Sequence, residues 1–170
     1  MTARPVAGQQ ANANQGRRRA AGIYGAIVTA AILDAAGDRL PTEALAIAVV
    51  VTLLVYWLAE EYAEILGEAA GGRLPSWSRI REALAEAWPM VSASYLPLLA
   101  LLATRTAGAS PLAAANAGLV TAIIVLTFHA WSAARSAQLR GRQLLAAISI
   151  ALGLGLVMIL LKDLVLIHLH

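Results

Sequence analysis

Residues 42–67 read TEALAIAVVVTLLVYWLAEEYAEILG, and this stretch decides the fold class. From Ala44 to Ala59 it holds only apolar residues, tyrosine, tryptophan and one threonine. About 20 apolar residues at 1.5 Å per residue cross a hydrocarbon core of ~30 Å, so the segment predicts a membrane-spanning helix. Thr42 is placed as an N-cap, and Glu43 offsets the helix dipole in the first turn. The helix then continues as EEYAEILGE, past the length the bilayer requires.

Working outward, four further apolar segments predict four more spans. The first covers about 20–36, preceded by Arg17, Arg18 and Arg19 and closed by Gly37. The third covers about 89–107, with Pro89 in its first turn and Pro97 expected to kink it. The fourth covers 111–135, opened by the Ser110-Pro111 cap pair, and the fifth about 143–161. Between the second and third spans, LPSWSRIREALAEAW spaces Ile80, Leu84 and Trp88 four apart amid charged residues, the pattern of an interfacial amphipathic helix. Residues 1–19 form a polar Gln/Asn/Ala-rich tail ending in arginines, expected to be disordered and cytoplasmic. The reading is all-α: a polytopic membrane helix bundle of five transmembrane helices plus a short cytoplasmic amphipathic helix, with 20–170 as one domain.

Composition agrees, since the 170 residues are 59% hydrophobic and 14% charged, far from the balance of a soluble domain. No cysteine is present, which removes disulfides, thiolate metal sites and cysteine nucleophiles. The net charge of +3 comes from basic residues at span ends and not from a groove-sized patch, so no nucleic-acid partner is expected. Arg4, Arg17, Arg18, Arg19, Arg73, Arg79, Arg81, Arg135, Arg140 and Arg142 fall on one side of the spans; Arg39, Arg105 and Lys162 fall on the other. By the positive-inside rule the N-terminus is cytoplasmic and the C-terminus outside. The Ala/Arg-rich, Lys-poor composition points to a bacterial cytoplasmic membrane. No phosphate loop, zinc-binding HExxH helix or GxSxG elbow occurs, so no enzyme activity is expected.

Counting along the spans places Glu60 and His129 at matching depth, ~25 Å from the outer end. Glu60, Glu61 and Glu64 with His129 opposite form a candidate metal or proton site, because neighbouring carboxylates hold cations and exchange protons. The alternative is that the second helix leaves the bilayer near Ala59, with Tyr56, Trp57 and Tyr62 as an aromatic belt and the glutamates in water. Asp34 and Arg105 form a candidate structural ion pair near the outer face, because a buried charge requires a partner. Gly22 and Gly25 allow close helix approach.

The stretches LAEEYAEILGE, SASYLPLLALLA and SAQLRGRQLL resemble corresponding parts of the vacuolar iron transporter family, and the likeness covers roughly 20–161. The resemblance implies five spans, a homodimer in the lipid bilayer, and metal or proton roles for Glu60, Glu61 and Glu64. The functional expectation is a proton-coupled carrier whose cargo is a divalent metal ion. Its rival is a noncatalytic membrane scaffold or accessory subunit, using the segment around Ser78–Trp88 to dock a partner or the lipid surface.

Overall fold

The computed structural model describes residues 7–69 and 76–136, and beyond them only positions 141–143, 145, 146, 149, 150 and 153. Six helices follow in order: α1 (Ala7–Ala36), α2 (Thr42–Ala69), α3 (Trp77–Ala87), α4 (Pro89–Ser92), α5 (Tyr95–Thr106) and α6 (Pro111–Ser136). Among the described residues four segments are long and apolar enough to cross a membrane: Asn14–Ala36, Thr42–Gly67, Trp77–Thr106 and Pro111–Ser136. The expected fifth span, 143–161, lies outside the described residues apart from isolated positions.

The expectation of a disordered tail is overturned from Ala7 onward, because α1 starts there and runs unbroken to Ala36. Alanine and glutamine are good helix formers, and Asn14 donates from Nδ2 to the Glu86 carboxylate on α3, which fixes this polar stretch in place. Thr42 is not the N-cap of α2. It begins the helix itself, the Pro41 carbonyl accepts from Leu45 N–H at 2.9 Å, and the Thr42 hydroxyl is buried without a partner among the described residues. Ser110 does cap α6, accepting from Ala113 N–H at 3.2 Å.

The third span is a helix nicked twice by prolines. Pro89 lies at the start of α4, and Trp88 before it keeps right-handed helical torsions (φ −50°, ψ −31°). Pro97 lies inside the first turn of α5 and is fully buried. The break it causes falls at Ala93–Ser94, because a proline ring clashes with the carbonyl four residues before it. Ser94 answers locally, its hydroxyl donating to the Val91 carbonyl at 2.8 Å. The end of α5 is a Schellman cap: Gly108 takes φ +91°, Gly108 N–H donates to Arg105 O at 3.1 Å and Ala109 N–H to Thr104 O at 3.3 Å.

Apolar side chains cover the outside of the bundle as well as its core. On α6 the buried stripe is made of small residues, Ala114, Ala115, Gly118, Ala122, Ala130 and Ala134 with Val125 and Leu126 among them. The bulky residues Val120, Ile124 and Phe128 face outward. On α2, Leu45, Val49 and Leu53 point inward while Ile47, Val51, Val55 and Leu58 point outward. An exterior this apolar fits a lipid surround, where close backbone approach through small residues such as those of α6 replaces the hydrophobic drive. The hydroxyls obey the same solvent: Thr29, Thr121 and Thr127 each donate to the carbonyl four residues earlier, at 2.8 Å.

Two glycines on α1 set the spacing of the bundle. A Cβ at Gly22 would lie 2.8 Å from His129 Cε1 on α6, and one at Gly25 would lie 2.0 Å from the Met90 carbonyl oxygen on α4. The first obstacle is a side chain that can give. Gly22→Ala is therefore expected to destabilise by about 1–3 kcal/mol, and His129→Ala in the same chain should restore most of the loss. The check is the melting midpoint of the single and double variants in detergent; additive losses would show that His129 is not the obstacle.

Candidate functional site

The polar residues of the bundle gather where α1 begins and α2 ends. α1 and α2 form an antiparallel hairpin joined by the short Gly37–Pro41 connection, so positions equally far from it lie level. Arg17 is nineteen residues before Ala36 and Glu61 nineteen after Thr42, which puts both ~28 Å from the connection, at the far edge of a ~30 Å hydrocarbon core. There the Arg17 guanidinium forms a two-pronged ion pair with both carboxylate oxygens of Glu64. The same guanidinium reaches the Glu86 carboxylate on α3 at 3.9 Å. Trp57 adds a second tie between α2 and α3, its indole N–H donating to the Leu84 carbonyl at 3.1 Å and its ring meeting Trp88 edge-on at 5.3 Å. Arg19 joins α6 to the same end, donating to the Ser132 carbonyl at 3.3 Å.

The predicted amphipathic helix is therefore present as α3, and the face that packs against the bundle is not its Ile80, Leu84 and Trp88 stripe. Ala83 and Ala87 are the buried residues, with Ile80 and Leu84 only half-buried and Trp88 exposed. Small side chains allow α3 to lie close against α1 and α2, which a stripe of Ile80, Leu84 and Trp88 would prevent.

The four candidate ligands are not brought together. Glu64 is engaged by Arg17. Glu61 is 1% exposed, and neither of its carboxylate oxygens has a hydrogen-bond partner among the described residues. Glu60, one step further round α2, is exposed and lines a cleft of about 310 Å³ with Ala20, Ala21, Tyr24, Tyr56 and Met90. His129 rests on Gly22, whose direction from the axis of α1 is roughly 160° from that of Tyr24 at 3.6 residues per turn. The body of α1 thus stands between the histidine and the Glu60 cleft. Among the described residues no group of three His, Cys, Asp or Glu side chains is placed to hold a metal ion. The metal site read from Glu60, Glu61, Glu64 and His129 is corrected accordingly: matching residue counts along two helices do not give a shared face when a third helix separates them.

The expected Asp34–Arg105 pair is also not among the ion pairs of the described residues. Arg105 is exposed and its Nη1 donates to the Ala109 carbonyl at 2.9 Å, so it serves the end of its own helix. Asp34, half-buried on α1, has an interaction of its own. His168 and His170 lie outside the described residues.

Arg17, Glu86 and Trp57 are the residues whose part in this site the sequence reading did not give, Arg17 having been counted only as a topology signal and Trp57 only as part of an aromatic belt. Counting outward from the Gly37–Pro41 connection would have set it level with Glu61 and Glu64. Removing it tests the brace. Arg17→Ala is expected to destabilise by no more than about 1 kcal/mol, since the Arg17 side chain is 39% exposed and Glu64 25%, and half-exposed pairs are screened by solvent. Its larger effect is local, as faster backbone hydrogen exchange in α3 than in α6. Equal protection of α3 in both proteins would rule the brace out.

Four segments long and apolar enough to cross a membrane, with large apolar side chains on the outer surface, fit a multi-pass helical membrane protein. Comparison with known protein families, with characterised proteins and with solved structures finds no match to the chain.

Proposed function

We propose that the protein is a noncatalytic membrane scaffold or accessory subunit, whose cytoplasmic head is built from the start of α1, the end of α2 and α3. The supporting observation is the Arg17 brace: it engages Glu64 and Glu86 together, which turns the acidic end of α2 into a fastening between helices. A divalent-cation path would instead need those carboxylates free and convergent, because divalent cations take six or more oxygen ligands or a compact set of imidazole and carboxylate groups. The head carries Arg17, Arg18 and Arg19, and the excess of arginine at this end of the bundle supports its placement in the cytoplasm.

The exposed edge of α3 is the docking edge in this reading. Trp77 is 71% exposed there, and Arg81 and Trp88 follow on the exposed side. A photo-crosslinking amino acid in place of Trp77, activated in native membranes, is expected to give one discrete protein adduct, and the adduct should fade when Arg17→Ala loosens α3. In parallel, proteoliposomes holding the wild-type protein should take up no divalent metal above empty liposomes. Metal uptake coupled to a change in internal pH, and abolished by Glu60→Gln, Glu61→Gln and Glu64→Gln together, would replace the scaffold with a carrier.

A further inference from the structure

The Glu60 cleft is not used by the scaffold role, and its chemistry is specific. It opens between α1 and α2, with α4 behind it. Ala20, Ala21 and Met90 give it apolar walls, Tyr24 and Tyr56 supply two aromatic rings, and Glu60 supplies the single charge. The rings meet edge-to-face with centroids 5.9 Å apart, and both tyrosines line the cleft while nearly half exposed, Tyr24 at 44% and Tyr56 at 45%. Tyr56 and Glu60 are four residues apart on α2 and therefore stand one above the other on one face. Glu60 makes no hydrogen bond or ion pair among the described residues.

The geometry points to a binding site for the head of a small alkylammonium cation, held by the Glu60 carboxylate and the faces of Tyr24 and Tyr56. Each part of the lining selects for that class. One carboxylate balances one positive charge, whereas a divalent metal needs several oxygen ligands. Aromatic faces attract a cation through their quadrupole, most effectively one that sheds its water easily. Alanine and methionine walls offer no hydrogen bonds, so they favour alkyl groups over a hydrated ion. The volume of about 310 Å³ lies at the small end of ligand pockets, which suits a compact head and excludes a large polycyclic ligand.

The cleft is at the level of the Arg17 brace, near the boundary between hydrocarbon and headgroups, so the ammonium could arrive from water or as part of a lipid headgroup. The experiment separates these sources. Purified full-length protein in maltoside detergent, which carries no ammonium group, is titrated with choline and with its neutral carbon isostere 3,3-dimethylbutan-1-ol by calorimetry. Native mass spectrometry then compares retention of phosphatidylethanolamine and phosphatidylglycerol. Glu60→Gln and Tyr56→Leu serve as the variants, and an unchanged melting midpoint confirms that each is folded.

Saturable choline binding, weakened about tenfold or more by Glu60→Gln and severalfold by Tyr56→Leu, with no binding of the neutral isostere, is the expected result for a soluble cation. Selective retention of phosphatidylethanolamine that Glu60→Gln abolishes would support the site with a lipid as its source. Binding that ignores Glu60→Gln, equal binding of the isostere, or neither choline nor lipid bound would overturn it.

Discussion

Gly25→Ala is expected to be the most damaging single-methyl change in the described bundle. The new Cβ would sit 2.0 Å from the Met90 carbonyl oxygen, 2.7 Å from its carbonyl carbon and 2.9 Å from its Cα. All three obstacles are backbone, so no rotamer change relieves them. They also lie at the start of the nicked third span, where Pro89 has already removed one helical hydrogen bond, and a shift of Met90 would pull on Trp88 and hence on the Trp57 contact. Overpacking in a close-packed core costs typically 1–3 kcal/mol and more where the backbone must move, and the expectation here is about 3 kcal/mol or above. Gly67→Ala is the control, since a Cβ there meets nothing within 4 Å. Melting both variants in the same detergent is the measurement, and a Gly25→Ala midpoint within a degree or two of the control would mean that α1 and α4 are not in this contact.

The spans that were legible in sequence are those whose apolar run is long and uninterrupted. The second and fourth, expected at 43–67 and 111–135, appear as Thr42–Ala69 and Pro111–Ser136, because lipid requires a backbone that satisfies its own hydrogen bonds over the whole crossing. The start of the first helix was not legible. A run of Gln, Asn and Ala has too little apolar surface to order itself, and what orders residues 7–16 is tertiary: the Asn14–Glu86 hydrogen bond and the Arg17 brace next to it. The prolines were legible as breaks but not as positions, since Pro97 acts on Ala93 and not on itself.

The candidate site was legible as a set of polar residues towards one end of the bundle and illegible in azimuth. Counting residues put Glu60 and His129 at one level, but His129 meets Gly22, fourteen residues before Ala36 and so level with Tyr56, one helical turn short of Glu60. Which way each side chain points depends on how α1, α2 and α6 are rotated about their axes, and those rotations are set by Gly22, Gly25 and the alanine stripe of α6. Such small residues carry almost no periodic hydropathy signal. A reading that followed the small residues instead of the large ones would have seen that Gly22 receives His129 and that α1 separates it from Glu60.

Glu61 supplies the second large expected effect, and its sign is opposite to that of its neighbour. Its side chain is 1% exposed and both oxygens lack a hydrogen-bond partner among the described residues. Taking a carboxylate out of water costs several kcal/mol unless a partner offsets it, and an apolar residue of similar size removes a desolvation penalty of about 1–3 kcal/mol or more. Glu61→Leu is thus expected to raise the melting midpoint. Glu64→Leu should lower it, because it strips Arg17 of its two-pronged partner and leaves a guanidinium with only the longer Glu86 contact. Two glutamates on one face of α2, three residues apart, then answer the same substitution in opposite directions. If Glu61→Leu destabilises as much as Glu64→Leu, Glu61 is itself held by a cation from outside the described residues, and the brace has a further member. If it stabilises, the crosslink from position 77 decides what the buried carboxyl is for. A crosslink that survives leaves Glu61 a tolerated cost of the head; a crosslink that disappears from a better-folded protein means that the buried Glu61 sets the shape of the head that the partner meets.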